Sequence, residues 1–75
     1  MKDTLSYILT KITGVEAEIE EENEDGFITF TAHIPKEQIG IVIGKSGKTI
    51  HAIKTLLKIQ AIKEDKRIDV RVVEA

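Results

Sequence analysis

The sequence predicts an α+β domain of order α-β-β-α-α-β, a three-stranded mixed sheet with three helices on one face. Three observations carry this. Apolar residues recur at helical spacing in two stretches, Leu5-Ile8-Leu9-Ile12 and Ile50-Ile53-Leu57-Ala61. They alternate with polar residues in three others, around Ala17, Phe30 and Val70. Glycine, proline or a charged turn punctuates the joins. Each strand has one polar face, so the sheet needs covering on one side only.

The first helix has Asp3 or Thr4 as its expected cap and Gly14 as its left-handed stop. Val15, Ala17 and Ile19 alternate with Glu16, Glu18 and Glu20, predicting a half-buried strand with an acidic outer face. Asn23-Glu24-Asp25-Gly26 reads as a hairpin turn. The second strand follows, with Ile28, Phe30, Ala32 and Ile34 inward and Thr29, Thr31 and His33 outward. Pro35 ends it and opens a short helix through about Val42. After a glycine loop, a longer helix runs from Lys48 to about Ile62, with Lys48, His51, Lys54, Thr55 and Lys58 opposite its apolar side. Glu64-Asp65-Lys66 is a polar turn into a last strand, where Ile68, Val70 and Val72 alternate with Arg67, Asp69 and Arg71. A helical crossover precedes that strand, so it is expected parallel to the second.

Seventy-five residues make a single domain, 1–75, with a modest core and little room for an enclosed active site. The absence of cysteine excludes disulfides and zinc-thiolate sites. No apolar run reaches the length of a membrane span and the N-terminus lacks a signal pattern, so the expectation is a soluble, cytoplasmic protein without a membrane partner. The net charge of −2 conceals an asymmetry. Residues 1–35 set two lysines against eight carboxylates; residues 36–71 set seven lysines and two arginines against four. A basic half on an acidic chain suits a focused anion site.

That basic half contains Ile41-Val42-Ile43-Gly44-Lys45-Ser46-Gly47-Lys48-Thr49-Ile50. Two glycines bracket two polar residues between two helices. Without a Cβ, such a loop lets a sugar-phosphate backbone come close. The start of the following helix adds unpaired N–H groups and the positive end of its dipole.

Gly40 to Ile50 resembles the K-homology (KH) signature V-I-G-x-x-G-x-x-I, and the element order resembles the type II form of that family. A single domain with almost no extra sequence is similar to the small KhpA-type bacterial RNA-binding proteins, and the resemblance covers nearly the whole chain. It implies a non-enzymatic protein that binds single-stranded RNA, an RNA chaperone or a post-transcriptional or ribosome-associated factor. It makes Gly44, Lys45, Ser46 and Gly47 a clamp on four backbone nucleotides. Lys48 and Thr49 would stand beside a phosphate, with His51 and Lys54 further along the helix. Ile39, Val42, Ile43, Ile50 and Ile53 would supply a mixture of core and apolar floor for bases. Ile41 departs from the basic or polar residue that relatives often carry; it either lines the groove or marks a protein contact. With Tyr7, Phe27 and Phe30 far from the motif in sequence, stacking of bases on rings is not expected. One small site holds few phosphates, so a second KH copy is expected, by self-association or from a KH-containing partner of the KhpB/Jag kind.

Two rival readings compete with this one. Gly44-Lys45-Ser46 and Gly47-Lys48-Thr49 each resemble the end of a nucleotide-binding phosphate loop. That loop needs four residues between its first glycine and the Gly-Lys-Ser/Thr, and Gly40 to Gly44 leaves three. The alternative is a KH-like module acting only through protein contacts; the intact loop, with Lys45 and no acidic residue, argues against it. His33 and His51 have no carboxylate partner in the local pattern, and Glu16–Asp25 lacks calcium-loop spacing. No catalytic residue, metal site, cofactor or small-molecule substrate is therefore expected.

Overall fold

The computed structural model describes residues 1–75. Its elements are α1 (Lys2–Thr13), β1 (Glu18–Glu24), β2 (Phe27–Ile34), α2 (Lys36–Ile43), a single 3-10 turn (Lys45–Gly47), α3 (Lys48–Lys63) and β3 (Arg67–Glu74). The sheet order is β1-β2-β3; β1 and β2 are antiparallel, β2 and β3 parallel. The expected architecture and strand directions hold, with the three helices packed on one face.

The central strand organises the interior. Ile28, Phe30, Ala32 and Ile34 are all buried on one face of β2. Beside them lie Ala17 and Ile19 at and before β1, and Ile68 and Val70 of β3. Leu5 and Leu9 of α1, Val42 of α2, and Ile53, Leu57 and Ala61 of α3 close the other side. All fourteen buried side chains are apolar, so every chemistry-bearing side chain is on or near the surface.

Three local expectations are corrected. Helix α1 starts earlier than an Asp3 or Thr4 cap requires: the Leu5 N–H donates to Met1 O at 3.0 Å, and Asp3 lies within the first turn. Its stop is as expected, with Gly14 at φ 76° donating to Thr10 O. Val15 is exposed and outside the sheet. The register pairs Glu18 with His33, so Ala17 falls opposite the last residue of β2 and Val15 has no strand beside it. Instead the Val15 N–H donates to the Thr13 hydroxyl at 3.2 Å. At the other end β1 runs on through Glu24, and the turn contracts to Asp25-Gly26, at φ 50° and 83°. Two positive φ values are what a two-residue hairpin turn requires, because its twist then matches that of the strands.

Phe30 sits at the centre of this interior with no exposed surface. Phe30→Ala should cost about 3–5 kcal/mol, the range for truncating a buried aromatic. A domain of this size has little more to lose, so urea denaturation should find the variant largely unfolded in buffer. A loss under about 1 kcal/mol would contradict the packing described here.

Candidate nucleic-acid interface

Helix α2 ends where the Gly44 N–H donates to Gly40 O at 2.9 Å. Gly44 has φ 76° and ψ 176°, a region essentially closed to other residues. It is also pressed against Thr49: a Cβ there would strike the Thr49 hydroxyl and stand 2.7 Å from its Cβ and 2.9 Å from its backbone nitrogen. The turn that follows is closed by the Gly47 N–H on Gly44 O at 3.2 Å. Ser46 and Gly47 are both left-handed, at φ 56° and 74°. Around Gly47 there is open space, so its left-handed backbone alone favours glycine there.

Gly47 caps α3, and no side chain caps the helix start. The first turn holds no acidic residue. The positive end of a sixteen-residue helix therefore faces outward beside Lys45 and Lys48, both exposed. Ser46 and His51 are exposed as well; Gly44, Gly47 and Thr49 are half-buried.

The structure sorts the apolar candidates. Val42 and Ile53 are fully buried and belong to the core, because the helices turn them inward. They do not form the exposed floor; they anchor the loop from either side. Ile39 and Ile50 are half-buried against the core, and Ile43 is 38% exposed. Ile41 is 51% exposed on α2. Lys54 turns toward the sheet edge, its Nζ 3.5 Å from Asp69 Oδ1 of β3. Both partners are partly exposed, so the pair is weak and can be exchanged for another anion.

Two features were missed by sequence reasoning. Phe27, 45% exposed, lines a hollow at the C-terminal end of α3 together with Lys58, Ala61, Ile62, Lys66, Arg67 and Ile68. Arg67, which alternates with the inward Ile68 and Val70 of β3, thus also borders the α3–β3 side. The parallel register sets Phe27 beside Arg67, a pairing that no local pattern announces. A carboxylate does lie near His33, with Glu20 Oε1 3.3 Å from Nε2, though without the geometry of a hydrogen bond. That carboxylate arrives through the hairpin, diagonally across the pairing of Glu20 with Thr31 and Glu18 with His33.

The glutamates of β1 that alternate outward, Glu18, Glu20, Glu22 and Glu24, are all exposed on the sheet face turned away from the helices. These four carboxylates are thereby kept off the face that carries the loop.

Residues 2–72 match the family model described as KhpA/KhpB, KH domain. Among curated relatives, the RNA-binding protein KhpA of Chlamydia caviae is 34% identical over 76 residues, covering 99% of this chain and 97% of its own. The protein of the same name from Clostridium acetobutylicum is 34% identical over 75 residues, covering 97% and 100%. That of Listeria monocytogenes is 38% identical over 56 residues, covering 75% and 74%.

The two glycines should respond differently to alanine. Gly47→Ala should cost about 1–2 kcal/mol, the strain of a left-handed residue. Gly44→Ala adds the collision with Thr49 and should cost more than twice as much, read from urea unfolding midpoints. Equal losses would contradict the close approach of Gly44 to Thr49.

Proposed function

This chain belongs to the KhpA/KhpB KH-domain family, and from that membership we propose that it binds single-stranded RNA in a groove that begins at Gly44–Gly47 and runs between α2, α3 and β3. The observation that carries the proposal is the loop itself. A Gly44 that tolerates no side chain stands at the uncapped, acid-free start of α3, with Lys45 and Lys48 exposed beside it. These two lysines and the positive end of α3 hold phosphates; Ile43, Ile39 and Ile50 offer apolar contact to bases; His51 and Lys54 extend the site along α3. The relatives named RNA-binding protein KhpA support the same ligand. Recognition is an equilibrium with no chemical step, and its cellular form is that of an RNA chaperone or a post-transcriptional or ribosome-associated factor. No helix is long and apolar enough to cross a membrane.

A single short site binds weakly, and the second copy that would strengthen it has a surface to use. The outer face of α3 carries no charge from Ala52 through Leu56 and Ile59 to Ile62, and its three large side chains are each more than half exposed. In a chain with 32% charged residues this is the apolar face best suited to a second KH domain, and it offers more than Ile41 alone. An antiparallel pairing of two α3 helices opposes their dipoles and keeps the two phosphate-holding loops apart. Three side chains fall well short of the roughly 800 Å² per partner of a stable interface, so the association is weak and concentration-dependent.

Lys45→Asp with Ser46→Asp should abolish RNA binding and leave circular dichroism unchanged, because the loop is exposed and two carboxylates would face the phosphates. Wild-type affinity should fall with salt at a log–log slope of about −1.5 to −3, from two to four phosphate contacts at roughly 0.7 each. A well-folded double variant that still binds, or a slope of zero, would remove the clamp.

Ile59→Asp should lower the mass seen by light scattering at high protein concentration without changing affinity for a tetranucleotide. A wild-type chain that stays monomeric throughout would rule out self-pairing and leave a second KH-containing protein as the partner.

A further inference from the structure

The hollow at the C-terminal end of α3 is unused by the clamp. Its apolar lining is Phe27, Ala61 and Ile68, with Ile62 at the edge it shares with the outer face of α3, and its volume is about 270 Å³, near the lower limit for a small-ligand site. The charged residues that line it, Lys58, Lys66 and Arg67, are all cationic. We infer that this hollow is a second nucleotide subsite, in which a base of the bound RNA strand stacks on Phe27 while its phosphates lie against Lys58, Lys66 and Arg67. The inference rests on the RNA-binding reading above and extends it to a ligand longer than the clamp.

The chemistry favours a nucleotide over an apolar peptide. An apolar slot with a half-exposed ring takes a base by its π-face, and a cationic rim takes the charge that each nucleotide carries. Position argues the same way. Helix α3 leads directly from the loop to the hollow, about 21 Å from Lys48 to Ile62 at 1.5 Å per residue. Between them His51, Lys54 and Lys58 lie on one side of the helix, and the contact from Lys54 to Asp69 fixes that side as the one facing β3. A strand leaving the clamp along α3 thus passes basic side chains until it reaches Phe27. The adjoining hollow shares Phe27, Lys66 and Arg67 with this one and adds Glu24, Asp25 and Asp65 on its far side. Carboxylates there repel a further phosphate, so the track ends at Phe27.

The test uses the full chain, fluorescently labelled RNAs of four and ten nucleotides, and the variants Phe27→Ala, Phe27→Tyr and Lys66→Gln. Phe27→Ala should weaken decanucleotide binding about tenfold, within the range of one base–aromatic stack, and leave the tetranucleotide unchanged. Phe27→Tyr should retain wild-type affinity, and Lys66→Gln should weaken only the longer RNA and flatten its salt dependence. The Phe27 ring resonances should move on adding the decanucleotide and stay still with the tetranucleotide. Unfolding and light scattering on each variant separate these effects from lost stability or altered assembly. Wild-type protein that binds both RNAs equally, with Phe27→Ala without effect, overturns the subsite and leaves the clamp standing. Wild-type protein that binds neither overturns the RNA reading itself. Phe27→Ala that leaves RNA affinity intact but loses a co-purifying protein assigns the hollow to a protein partner and overturns the inference.

Discussion

Val42 and Ile53 enter the same apolar interior from opposite sides of the glycine loop. Each is packed into one cluster with the buried residues of the sheet and of α1, so the end of α2 and the start of α3 cannot drift apart. The chain between them must reverse within a few residues. That reversal forces the positive φ values at Gly44, Ser46 and Gly47, and the contact of Gly44 with Thr49 leaves no space for a side chain at its tightest point. The core holds the loop from below, and the Gly47 N–H to Gly44 O bond closes its turn.

In the proposed function this arrangement links packing to recognition. A clamp that had to order itself around each RNA would spend binding energy on its own conformation; one anchored at both ends has already met that cost in folding. The same anchoring orients α3, so that its unscreened positive end points where the lysines are exposed. Charge is arranged to match. Glu18, Glu20, Glu22 and Glu24 of β1 lie on the bare side of the sheet, away from the loop, and the cations of α3 and the α3–β3 turn lie along the helix.

Much of this was legible in the sequence because it rests on local pattern. The alternation of Ile28, Phe30, Ala32 and Ile34 specifies both a strand and its inward face, and Ile53, Leu57 and Ala61 specify the buried side of α3. Gly14 as a helix stop follows from its backbone freedom alone. The glycine loop was visible because two glycines at fixed spacing between two helices have few other uses. The ends of elements were less legible. Val15 continues the strand alternation, but a strand residue needs a partner, and β2 has run out by then. The extension of β1 to Glu24 likewise depends on β2 standing beside residues whose own composition is that of a solvated turn.

By itself the sequence determined the order of elements, the inward faces of strands and helices, and the position of the glycine loop, because each is set by spacing over a few residues. Tertiary structure decided which candidates are reachable and which distant residues meet. It buried Val42 and Ile53 while leaving Ile43 exposed, since burial depends on what packs across an element. It brought Glu20 to His33, Lys54 to Asp69, and Phe27 to Arg67 and Lys58. Those meetings are products of sheet register and of the crossover that carries α3 back to the edge of β3, and no stretch of local sequence contains both partners.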